Sequence, residues 1–409
     1  MVGAGMSHFG MFADLNSKDL FVTAYREMLA SVDLGIDPKD IDALYVGNFT
    51  NDFFVHQSHY GAILADTLGL IPIPATRVEG ACASSALAFR EAVFSIASGF
   101  YDIVLVGGFE DMSKRSTEEV ADGLSLAASS YERAAGLTFP GVFGAIATAY
   151  FDRYGAGRED LMNVTIKSHT NGPLNPKAQH QRTIQDFMAA KIAKAKDRAQ
   201  PIPTWQNEKE FLADPRANPP IAWPMHLFDC SPISDGAACI LLVADEIAAK
   251  FTDSPLRVAG LGQGSGRSLY GATDLTSFEA TKYAAQQAYQ MSGLSPHDVQ
   301  FAEVHDCFSI AEIMHGEDLG FFKAGEGYKA VAEGLTARDG SKPINTSGGL
   351  KCKGHPVGAT GAAQLIEVWH QLRGSACERQ IPNADLRIGA AHSMGGTGGT
   401  CTVTILERK

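Results

Sequence analysis

What the sequence has little of already excludes several classes of protein. Its 409 residues include seven cysteines, an odd number with no Cys-x-x-Cys pair, which fits neither a disulfide framework nor a zinc site and favours a reducing compartment. The 34 basic residues are outnumbered by 46 acidic ones, and the net charge of −12 opposes non-specific binding to nucleic acid. No apolar run approaches the ~18 residues of a membrane span, because the strongest run, 237–244, ends at Asp245.

A globular protein of some size remains. The hydrophobic fraction of 45% is ordinary and excludes wholesale disorder. A single core usually stops growing near ~250–300 residues, so the chain length predicts two domains or one large duplicated unit. The first residues lack the charged and apolar regions of a secretory signal, and Glu407-Arg408-Lys409 does not form a peroxisomal address. We therefore expect a cytoplasmic protein.

Two segments, 23–49 and 281–308, are alike. Each has the pattern of an amphipathic helix, a glycine that ends it, a Pro-x-Asp turn and a short apolar strand. The corresponding positions keep one constant offset without a gap: Gly35 with Gly293, Pro38 with Pro296, Asp40 with Asp298 and Val46 with Val304. Chance similarity between two ordinary helix–strand units is the alternative, but the unbroken register favours a duplicated fold.

Each half continues with the same order of elements. The first has a small-residue segment and helix over 78–98, a glycine stop, and a strand over 101–106 before Gly107-Gly108. The second has a glycine-rich segment over 345–361, a helix near 362–372, and a strand over 387–391 before a glycine-rich turn. Apolar strands that alternate with helices predict an α/β fold in layers, with both faces of each sheet covered.

The segment between the halves differs in composition. Residues 112–225 contain several prolines and a run of lysine and arginine, which predicts an inserted loop domain, and the apolar strand over 237–244 then returns to a core. We therefore divide the chain into an N-terminal half (1–111 and 226–250), an inserted loop domain (112–225) and a C-terminal half (251–409).

Cys82 is the first candidate for chemistry. It lies in the small-residue stretch Gly80-Ala-Cys-Ala-Ser-Ser-Ala86, immediately before an apolar helix. A thiol at a helix N-terminus experiences the positive end of the helix dipole, which predicts a lowered pKa and a larger thiolate fraction. The small neighbours would let a substrate approach closely. A buried structural cysteine is the alternative.

His355 is the second candidate, in Gly354-His355-Pro356 before another small-residue helix start. It lies in the second half at about the place that Cys82 occupies in the first. Pseudo-twofold symmetry would bring the two helix N-termini face to face, with the imidazole within reach of the thiol. His355 could then take the thiol proton, as the base of a nucleophile–base pair. The alternative is a core histidine bonded to a carbonyl group.

A third group, His305-Asp306-Cys307, follows a predicted strand. Polar residues at strand ends line the ligand crevice of α/β folds. His305 could be a neutral donor to an oxyanion and Cys307 a second acid/base, or Cys307 could simply pack in the core. We expect Asp306 to hold the turn.

The last candidate is the run His392-Ser-Met-Gly395-Gly396, which follows the last predicted core strand. Its backbone N–H groups could form an oxyanion pocket together with the N–H of Cys82. Without the other motifs, a glycine-rich stretch of this kind would indicate only a turn.

Together these motifs resemble one family. CASSA, HDCF, SGGLKCKGHPVGATG and the final glycine-rich turn occur in the order found in thiolases, over nearly the whole chain. The sequence is similar to the thiolase superfamily, and within it to the sterol-carrier-protein type and its bacterial and archaeal relatives. The resemblance implies a duplicated five-layer α-β-α-β-α fold, with an inserted loop domain over the active site, and a homodimer or a dimer of dimers.

The resemblance also implies the role of each candidate. Cys82 matches the family nucleophile, and His355 matches the Gly-His-Pro histidine that activates it. His305 and Cys307 match the His-Asp-Cys-Phe motif that replaces the Asn-Glu-Ala-Phe of ordinary thiolases.

Two departures from the family pattern concern the ends of the chain. Where ordinary thiolases have a Cys-x-Gly whose cysteine is the second acid/base, this chain has Ser393-Met-Gly395. Serine of ordinary pKa is a poor substitute, so we assign that role to Cys307, keep Gly395 as an oxyanion donor, and interpret Cys401 in the closing strand as structural. Family members also begin with a full strand before a turn that matches residues 2–5, whereas only Met1 precedes it here; the sequence starts late or an edge strand is shortened.

The implied activity is the exchange of acyl groups with coenzyme A, a cosubstrate, with no permanently bound cofactor and no metal in this chain. The thiolate of Cys82 would attack a 3-oxoacyl-CoA, or the reverse Claisen condensation would run through the same site. Candidate substrates are acetoacetyl-CoA and medium or branched 3-oxoacyl-CoA esters. Basic side chains of the insert would meet the CoA phosphates or form a solvated face: Lys191, Lys194, Lys196 and Arg198.

Three alternatives stay open. One is an aromatic substrate such as a benzoylsuccinyl-CoA-like ester, with a small zinc-binding OB-fold partner that would carry the metal. Another is a ketosynthase or other acyltransferase of the same superfold, against which the GHP and HDCF motifs argue. The third is a non-catalytic scaffold that binds acyl-CoA or lipid, against which Cys82 and His355 together argue.

Overall fold

The computed structural model describes residues 1–382 and 385–408. Its strands are β1 (Gly3–Met6), β2 (Ala43–Gly47), β3 (Ala75–Val78), β4 (Ile103–Glu110), β5 (Pro220–Ala222), β6 (Met225–His226), β7 (Gly236–Val243), β8 (Leu256–Ser265), β9 (Phe301–Glu303), β10 (Ile388–Gly395) and β11 (Thr400–Arg408).

The helices alternate with these strands in both halves and fill the segment between β4 and β7. They are α1 (Ser17–Ala30), α2 (Asn51–Phe54), α3 (Tyr60–Thr67), α4 (Ser84–Ala97), α5 (Thr117–Ser125), α6 (Ser130–Ala134), α7 (Phe139–Tyr154), α8 (Arg158–Asn171), α9 (Ile184–Asp197), α10 (Glu208–Ala213), α11 (Glu279–Ser292), α12 (Ser309–Asp318), α13 (Gly327–Ala332), α14 (Gly349–Lys353) and α15 (Thr360–Leu372).

The two large sheets repeat one topology. The first has the order β1-β7-β4-β2-β3 and the second β8-β11-β10-β9. In each sheet one pair, β4 with β2 or β10 with β9, is parallel. The strands on one side of that pair, β7 and β1 or β11 and β8, run antiparallel, and β3 on the other side pairs parallel with β2. The place of β3 in the second sheet is taken by a single parallel bridge between Ala302 and Ile344. The predicted duplication is therefore confirmed strand by strand.

The layers follow the predicted α-β-α-β-α order. Helices α4 and α15 lie between the two sheets, α1 covers the outer face of the first sheet, and α11 covers that of the second. The central layer buries an apolar cluster that includes Phe89, Ile366 and Trp369. Burial of this area from water supplies the main driving force for closing the two halves on each other. The starts of α4 and α15 are thereby held at fixed positions.

The glycine stops that the sequence predicts end three of these helices. Gly99 follows α4, Gly293 follows α11 and Gly374 follows α15, each with a left-handed φ between 68° and 72°. This conformation at the residue that follows a helix is the usual reason for glycine there. Gly35 differs, because α1 already ends at Ala30 and Gly35 lies in the turn beyond it.

Two predicted strand ends were wrong. Strand β4 continues through Gly107 and Gly108 to Glu110, where a Cβ at Gly108 would lie 2.1 Å from the carbonyl oxygen of Gly358. These glycines serve close packing inside a strand and are not a turn signal. Strand β10 likewise extends through His392 to Gly395, which pairs with Thr400 of β11.

The start of the chain also differs from expectation. Residues 3–6 form strand β1, which pairs antiparallel with β7, where a turn was predicted over residues 2–5. A Cβ at Gly5 would lie 2.2 Å from the backbone nitrogen of Met28, so the glycine lets α1 pack directly on the strand.

The segment between β4 and β7 holds α5 to α10 and the short pair β5–β6. Its apolar side chains pack against the C-terminal half, with Phe143 stacked on Phe308 at a ring distance of 4.4 Å. The domain boundaries given above stay predictions. Within the described ranges, no helix is long and apolar enough to cross a membrane.

Candidate active site

Cys82 lies in a single helical turn, Ala81–Ala83, directly before α4. The hydroxyl of Ser84 shapes this turn, because it accepts a hydrogen bond from the N–H of Gly80 (3.0 Å) and donates one to the carbonyl of Ala81 (2.6 Å). Since α4 is wedged between the sheets, the side chain of Cys82 is held in one place. It is partly exposed, toward a cavity.

The cavity has a volume of ≈ 210 Å³ and a mostly apolar wall. Four of the five predicted site residues line it: Cys82, His305, Cys307 and His355. The apolar wall comes chiefly from α5, the start of α7 and the segment before β7, and includes Val120, Leu124, Phe139, Ile233 and Val357. Among the described residues, no Asp, Glu, Lys or Arg lines this cavity.

Three of the lining side chains converge. One ligand-type atom from each of Cys82, His305 and His355 lies within 4.8 Å of the other two, and the rings of the two histidines are 5.0 Å apart. A soft divalent metal is one possible occupant of such a thiol–imidazole group. The arrangement equally suits proton transfer between neutral groups, and the absence of a resident metal stays a prediction.

The pKa predicted for Cys82 was wrong in direction. Burial raises the pKa of the Cys82 thiol to about 12, although the backbone N–H groups of Gly396 and of Cys82 itself favour the thiolate. Desolvation therefore outweighs the helix N-terminus. A thiol with so high a pKa is protonated at rest, and it would need a base close by to act as a nucleophile.

His355 has the properties of that base. Burial lowers the pKa of its imidazole to about 3, with Lys353 adding to the effect, so the ring is neutral at pH 7. Its backbone N–H donates to the hydroxyl of Ser234 (2.9 Å), and its Nδ1 lies 2.7 Å from the hydroxyl of Thr360. With Nδ1 held in this way, Nε2 is left for the cavity.

His305 is also neutral, as predicted. Burial places the pKa of its imidazole well below the ordinary value, and His355 and His392 lower it further. Its backbone N–H approaches Nδ1 of His392 at 3.5 Å, and its own Nδ1 has no hydrogen-bond partner among the described residues. A neutral imidazole on the cavity wall can donate to an oxygen that becomes negative during a reaction.

Cys307 and Ser393, the two candidates for the second acid/base, are placed differently. Cys307 lines the cavity, and burial, with Cys82 nearby, holds its pKa well above the ordinary value, so it is a protonated donor. Ser393 points its hydroxyl at the backbone carbonyl of Cys82 (3.4 Å) and does not line the cavity. Cys401 is buried in β11 beside Thr281. The geometry supports Cys307.

The predicted oxyanion donor Gly395 is the one site residue that does not line the cavity. It ends β10, and a Cβ there would lie 2.2 Å from the carbonyl oxygen of Gly80. The N–H beside the thiol belongs to the next residue, Gly396, whose φ of +62° turns the chain there. The role of Gly395 stays a prediction, whereas Gly396 has the contact.

Sequence reasoning missed Glu110, which joins the two halves behind the site. Its buried carboxylate accepts five hydrogen bonds: from the side chain of Asn48 (2.9 Å), the N–H of Phe49 (3.1 Å), the N–H and hydroxyl of Thr50 (3.0 and 2.9 Å) and the N–H of Gly358 (3.0 Å). Burial nevertheless raises the pKa of this carboxyl to about 7. The acid at the end of an apolar strand was the available signal.

A buried ionic network supports α14, the short helix before His355. Asp306 accepts a hydrogen bond from the N–H of Leu350 in α14 (2.7 Å), so it joins the segment after β9 to this helix. Its predicted role in its own turn stays a prediction. Lys351, 1% exposed, donates to Ser309 (3.1 Å), and Lys353, 1% exposed, lies 3.6 Å from the carboxylate of Glu303. Buried lysines of this kind persist only beside compensating acids.

The basic residues of the insert lie away from the cavity. Lys191, Lys194 and Lys196 project from α9, Arg198 follows it, and all four are exposed. Lys191 also donates to the carbonyl of Ala217 (2.8 Å). Their predicted contact with CoA phosphates stays a prediction.

Comparison with known proteins places the chain in a family. A model of the thiolase N-terminal domain matches residues 1–246, and a thiolase C-terminal domain-like model matches residues 263–408. An acetyl-CoA acetyltransferase of Methanothermobacter thermautotrophicus is 40% identical over 100% of this chain and 99% of its own length. Human sterol carrier protein 2 is 31% identical over 100% of this chain and 71% of its own length.

A solved structure shares the fold. It is an Ltp2-ChsH2(DUF35) aldolase, with a TM-score of 0.79 at 23% identity, over 100% of this chain and 97% of that one. The matches to both family models and to the two relatives agree with the family that the sequence motifs indicate. The chain belongs to the thiolase family, and it is an acyltransferase enzyme.

Proposed function

We propose that this thiolase moves a short, uncharged acyl group between a 3-oxoacyl-CoA and coenzyme A through an acyl-cysteine at Cys82. The observation that carries the proposal is the meeting of Cys82, His305, Cys307 and His355 on the wall of one apolar cavity. Nucleophile, base, oxyanion donor and proton donor are then all present within one site.

In the degradative direction, His355 takes the thiol proton of Cys82 while the sulfur bonds to C3 of the substrate. The C2–C3 bond breaks, and its electron pair forms the enolate of a short acyl-CoA, which the imidazoles of His355 and His305 stabilise. Cys307 gives its proton to C2, and the shorter acyl-CoA leaves. Each of these groups starts in the protonation state that burial favours.

The second half-reaction restores the enzyme. The Cys307 thiolate takes the proton of an incoming CoA thiol, and the CoA sulfur attacks the carbonyl carbon of acyl-Cys82. The negative oxygen lies near the N–H groups of Gly396 and Cys82. The carbon–sulfur bond to Cys82 then breaks, and the sulfur recovers its proton from His355. Read in reverse, the same steps are a Claisen condensation.

The uncharged wall of the cavity favours a substrate whose acyl group carries no charge. A benzoylsuccinyl-type ester carries a carboxylate, which the described cavity wall has no cation to pair. Burying an unpaired carboxylate costs several kcal/mol. Linear 3-oxoacyl-CoA esters such as acetoacetyl-CoA meet no such penalty, and the name of the archaeal relative is in keeping with this choice.

Two assemblies are proposed. Strand β3 is at the edge of its sheet, and within the described residues its outer side has no strand partner. A second copy of the chain would pair with this edge, because exposed edges tend to be covered.

The second proposed assembly is with a small zinc-binding OB-fold partner protein. The solved structure that shares the fold is named for two proteins, Ltp2 and ChsH2(DUF35).

The test is CoA-dependent cleavage of acetoacetyl-CoA, longer 3-oxoacyl-CoA esters and 3-oxoadipyl-CoA, which carries a carboxylate. We expect turnover of the uncharged esters and at least about a hundredfold lower kcat/KM for the carboxylated one. Cys230→Ala, which removes another thiol of the cavity, should keep activity within about threefold. Equal turnover of the carboxylated ester would refute the substrate choice, and no turnover of any ester, with or without a partner protein, would refute the proposed function.

A further inference from the structure

The hydroxyl of Thr360 has two neighbours, and only one hydrogen to share between them. It lies 2.7 Å from Nδ1 of His355 and 3.1 Å from the carbonyl oxygen of Pro356. Thr360 is the first residue of α15 and is 1% exposed, so no bulk water competes for these contacts. Both distances are those of real hydrogen bonds.

Counting hydrogens decides the direction of each bond. A carbonyl oxygen can only accept, so the bond to Pro356 uses the single hydrogen of the Thr360 hydroxyl. The hydroxyl oxygen is then an acceptor toward His355, and Nδ1 must carry the ring proton. In a neutral imidazole the other nitrogen, Nε2, is left with its lone pair. That lone pair is what a base needs to take a proton from Cys82.

We propose that Thr360 is a positioning residue that fixes the neutral tautomer of His355, with hydrogen on Nδ1 and Nε2 free to act as the base. The proposal rests on the proposed role of Cys82 as the nucleophile. Without Thr360, Nδ1 has no acceptor for its hydrogen, and the tautomer with hydrogen on Nε2 becomes accessible. An Nε2–H points a donor at the thiol and cannot accept its proton. A wrongly set tautomer disables such a pair even when the geometry is intact.

Two other contacts indicate that the position of the loop around His355 does not depend on Thr360. The N–H of His355 donates to Ser234 (2.9 Å) and the N–H of Gly358 donates to Glu110 (3.0 Å), so the loop is held without Thr360. Ala359, the residue before α15, has no side chain that could cap the helix, and the hydroxyl of Thr360 does not cap it either. That hydroxyl instead contacts the carbonyl of Pro356 and Nδ1 of His355. Loss of the hydroxyl should therefore change the proton on His355 more than the position of the loop.

The direct test reads the tautomer itself. In protein labelled with ¹⁵N-histidine, two-bond ¹H–¹⁵N correlation spectra should show His355, assigned with His355→Gln, with a protonated Nδ1 and an unprotonated Nε2 in the wild type. In Thr360→Val, and in the smaller Thr360→Ala should valine not fold, the Nε2–H form should appear. This readout does not depend on which ester, if any, the enzyme turns over, so it separates this proposal from the proposed function.

The second readout is the rate at which iodoacetamide alkylates Cys82 at pH 7, followed by peptide mass spectrometry. We expect Thr360→Val to slow alkylation and acetoacetyl-CoA cleavage at least about tenfold, through kcat more than KM, and Thr360→Ser to recover to within about threefold. Thr281→Val is the matched control, because Thr281 makes the same kind of bond (3.0 Å) to a different buried histidine, His392. A folded Thr360→Val protein with the wild-type tautomer and alkylation rate would overturn the proposal.

Discussion

The starts of α4 and α15 occupy equivalent places in the two halves, yet their surroundings differ. Cys82, at the first, faces apolar wall residues such as Val120 and Leu124. His355, at the second, is backed by the buried ionic network of Lys351, Lys353 and their acids. A duplicated scaffold thus supplies two equivalent positions, and their unlike surroundings suit the two proposed roles, nucleophile for Cys82 and base for His355. The C-terminal half also supplies His305 and Cys307.

The largest effect should come from removing the base. His355→Gln keeps the size and polarity of the side chain but cannot take a proton, so we expect kcat for acetoacetyl-CoA cleavage to fall about 10³- to 10⁴-fold. His370→Gln, in the helix α15 that follows His355, is bonded to Ser375 (3.0 Å) and should stay within about threefold. Comparable losses of kcat in both variants would show that changing either histidine disturbs this region in general, and that His355 has no specific role as the base.

The next effect distinguishes the two candidates for the second acid/base. Cys307→Ala should lower kcat about 10²- to 10³-fold, because Ser393, the other candidate for the second acid/base, does not line the cavity. Ser393→Ala should change it less than about fivefold, since that hydroxyl is directed to the carbonyl of Cys82. Steady-state kinetics on both variants decides the matter. A larger loss of kcat in Ser393→Ala than in Cys307→Ala would assign the second acid/base to Ser393, at the position where ordinary thiolases have it.

A third change tests how the halves are joined. Glu110→Gln puts an amide donor among the five hydrogen bonds that converge on this carboxylate, so at least one donor is left without an acceptor. We expect the free energy of unfolding in urea to fall by about 2–4 kcal/mol. Glu91→Gln is the control on α4: its side chain is 44% exposed and pairs with Arg90 (2.9 Å), so the change should be less than about 0.5 kcal/mol. Equal values for both variants would contradict the joining role of Glu110.

The smallest effect is a pH dependence of stability. Four buried histidines, His305, His315, His355 and His392, have pKa values held below the ordinary value, chiefly by burial. The unfolded chain therefore binds protons first as the pH falls below about 6.5, so stability is present above that pH and is lost toward pH 5. Each histidine adds a slope of up to about 1.4 kcal/mol per pH unit. Buried carboxyls with raised pKa values, among them Glu110, Asp306 and Asp318, act in the opposite direction, and His169, whose pKa burial lowers to about 3, adds to the histidine slope.

His315 allows this slope to be dissected. Neither of its ring nitrogens has a hydrogen-bond partner among the described residues, and it packs 5.0 Å from the ring of Phe278. His315→Phe should therefore remove one histidine's share of the slope, measured by urea unfolding between pH 7.5 and 5.5. An unaltered slope in His315→Phe would show that this ring titrates equally in the folded and unfolded chain.

Much of the site could be predicted from sequence because its residues lie in short contiguous motifs. Cys82 and His355 lie among small or glycine residues shortly before a helix, whereas His305 and Cys307 follow a strand. The repeat predicted the duplicated fold and, through its symmetry, that the two helix starts meet. These features depend on local pattern and on one symmetry, both of which a sequence displays.

The features that could not be predicted from the sequence depend on contacts between segments remote in the chain. The raised pKa of Cys82 results from desolvation by residues remote in sequence, which outweighs the local helix start. The five donors to Glu110 come from two separate segments, 48–50 and Gly358. The predicted strand ended before Gly107 and Gly108, because only the packing of Phe21 and Gly358 on them shows why a strand needs glycine there.

The central claim is that Cys82 carries the acyl group, and intact-protein mass spectrometry tests it most directly. Wild-type protein mixed with acetoacetyl-CoA should gain the mass of one acetyl group, and addition of free CoA should remove it. Cys82→Ala should gain nothing, while Cys230→Ala should behave as the wild type. An adduct that survives in Cys82→Ala, or one that free CoA does not discharge, would contradict the account.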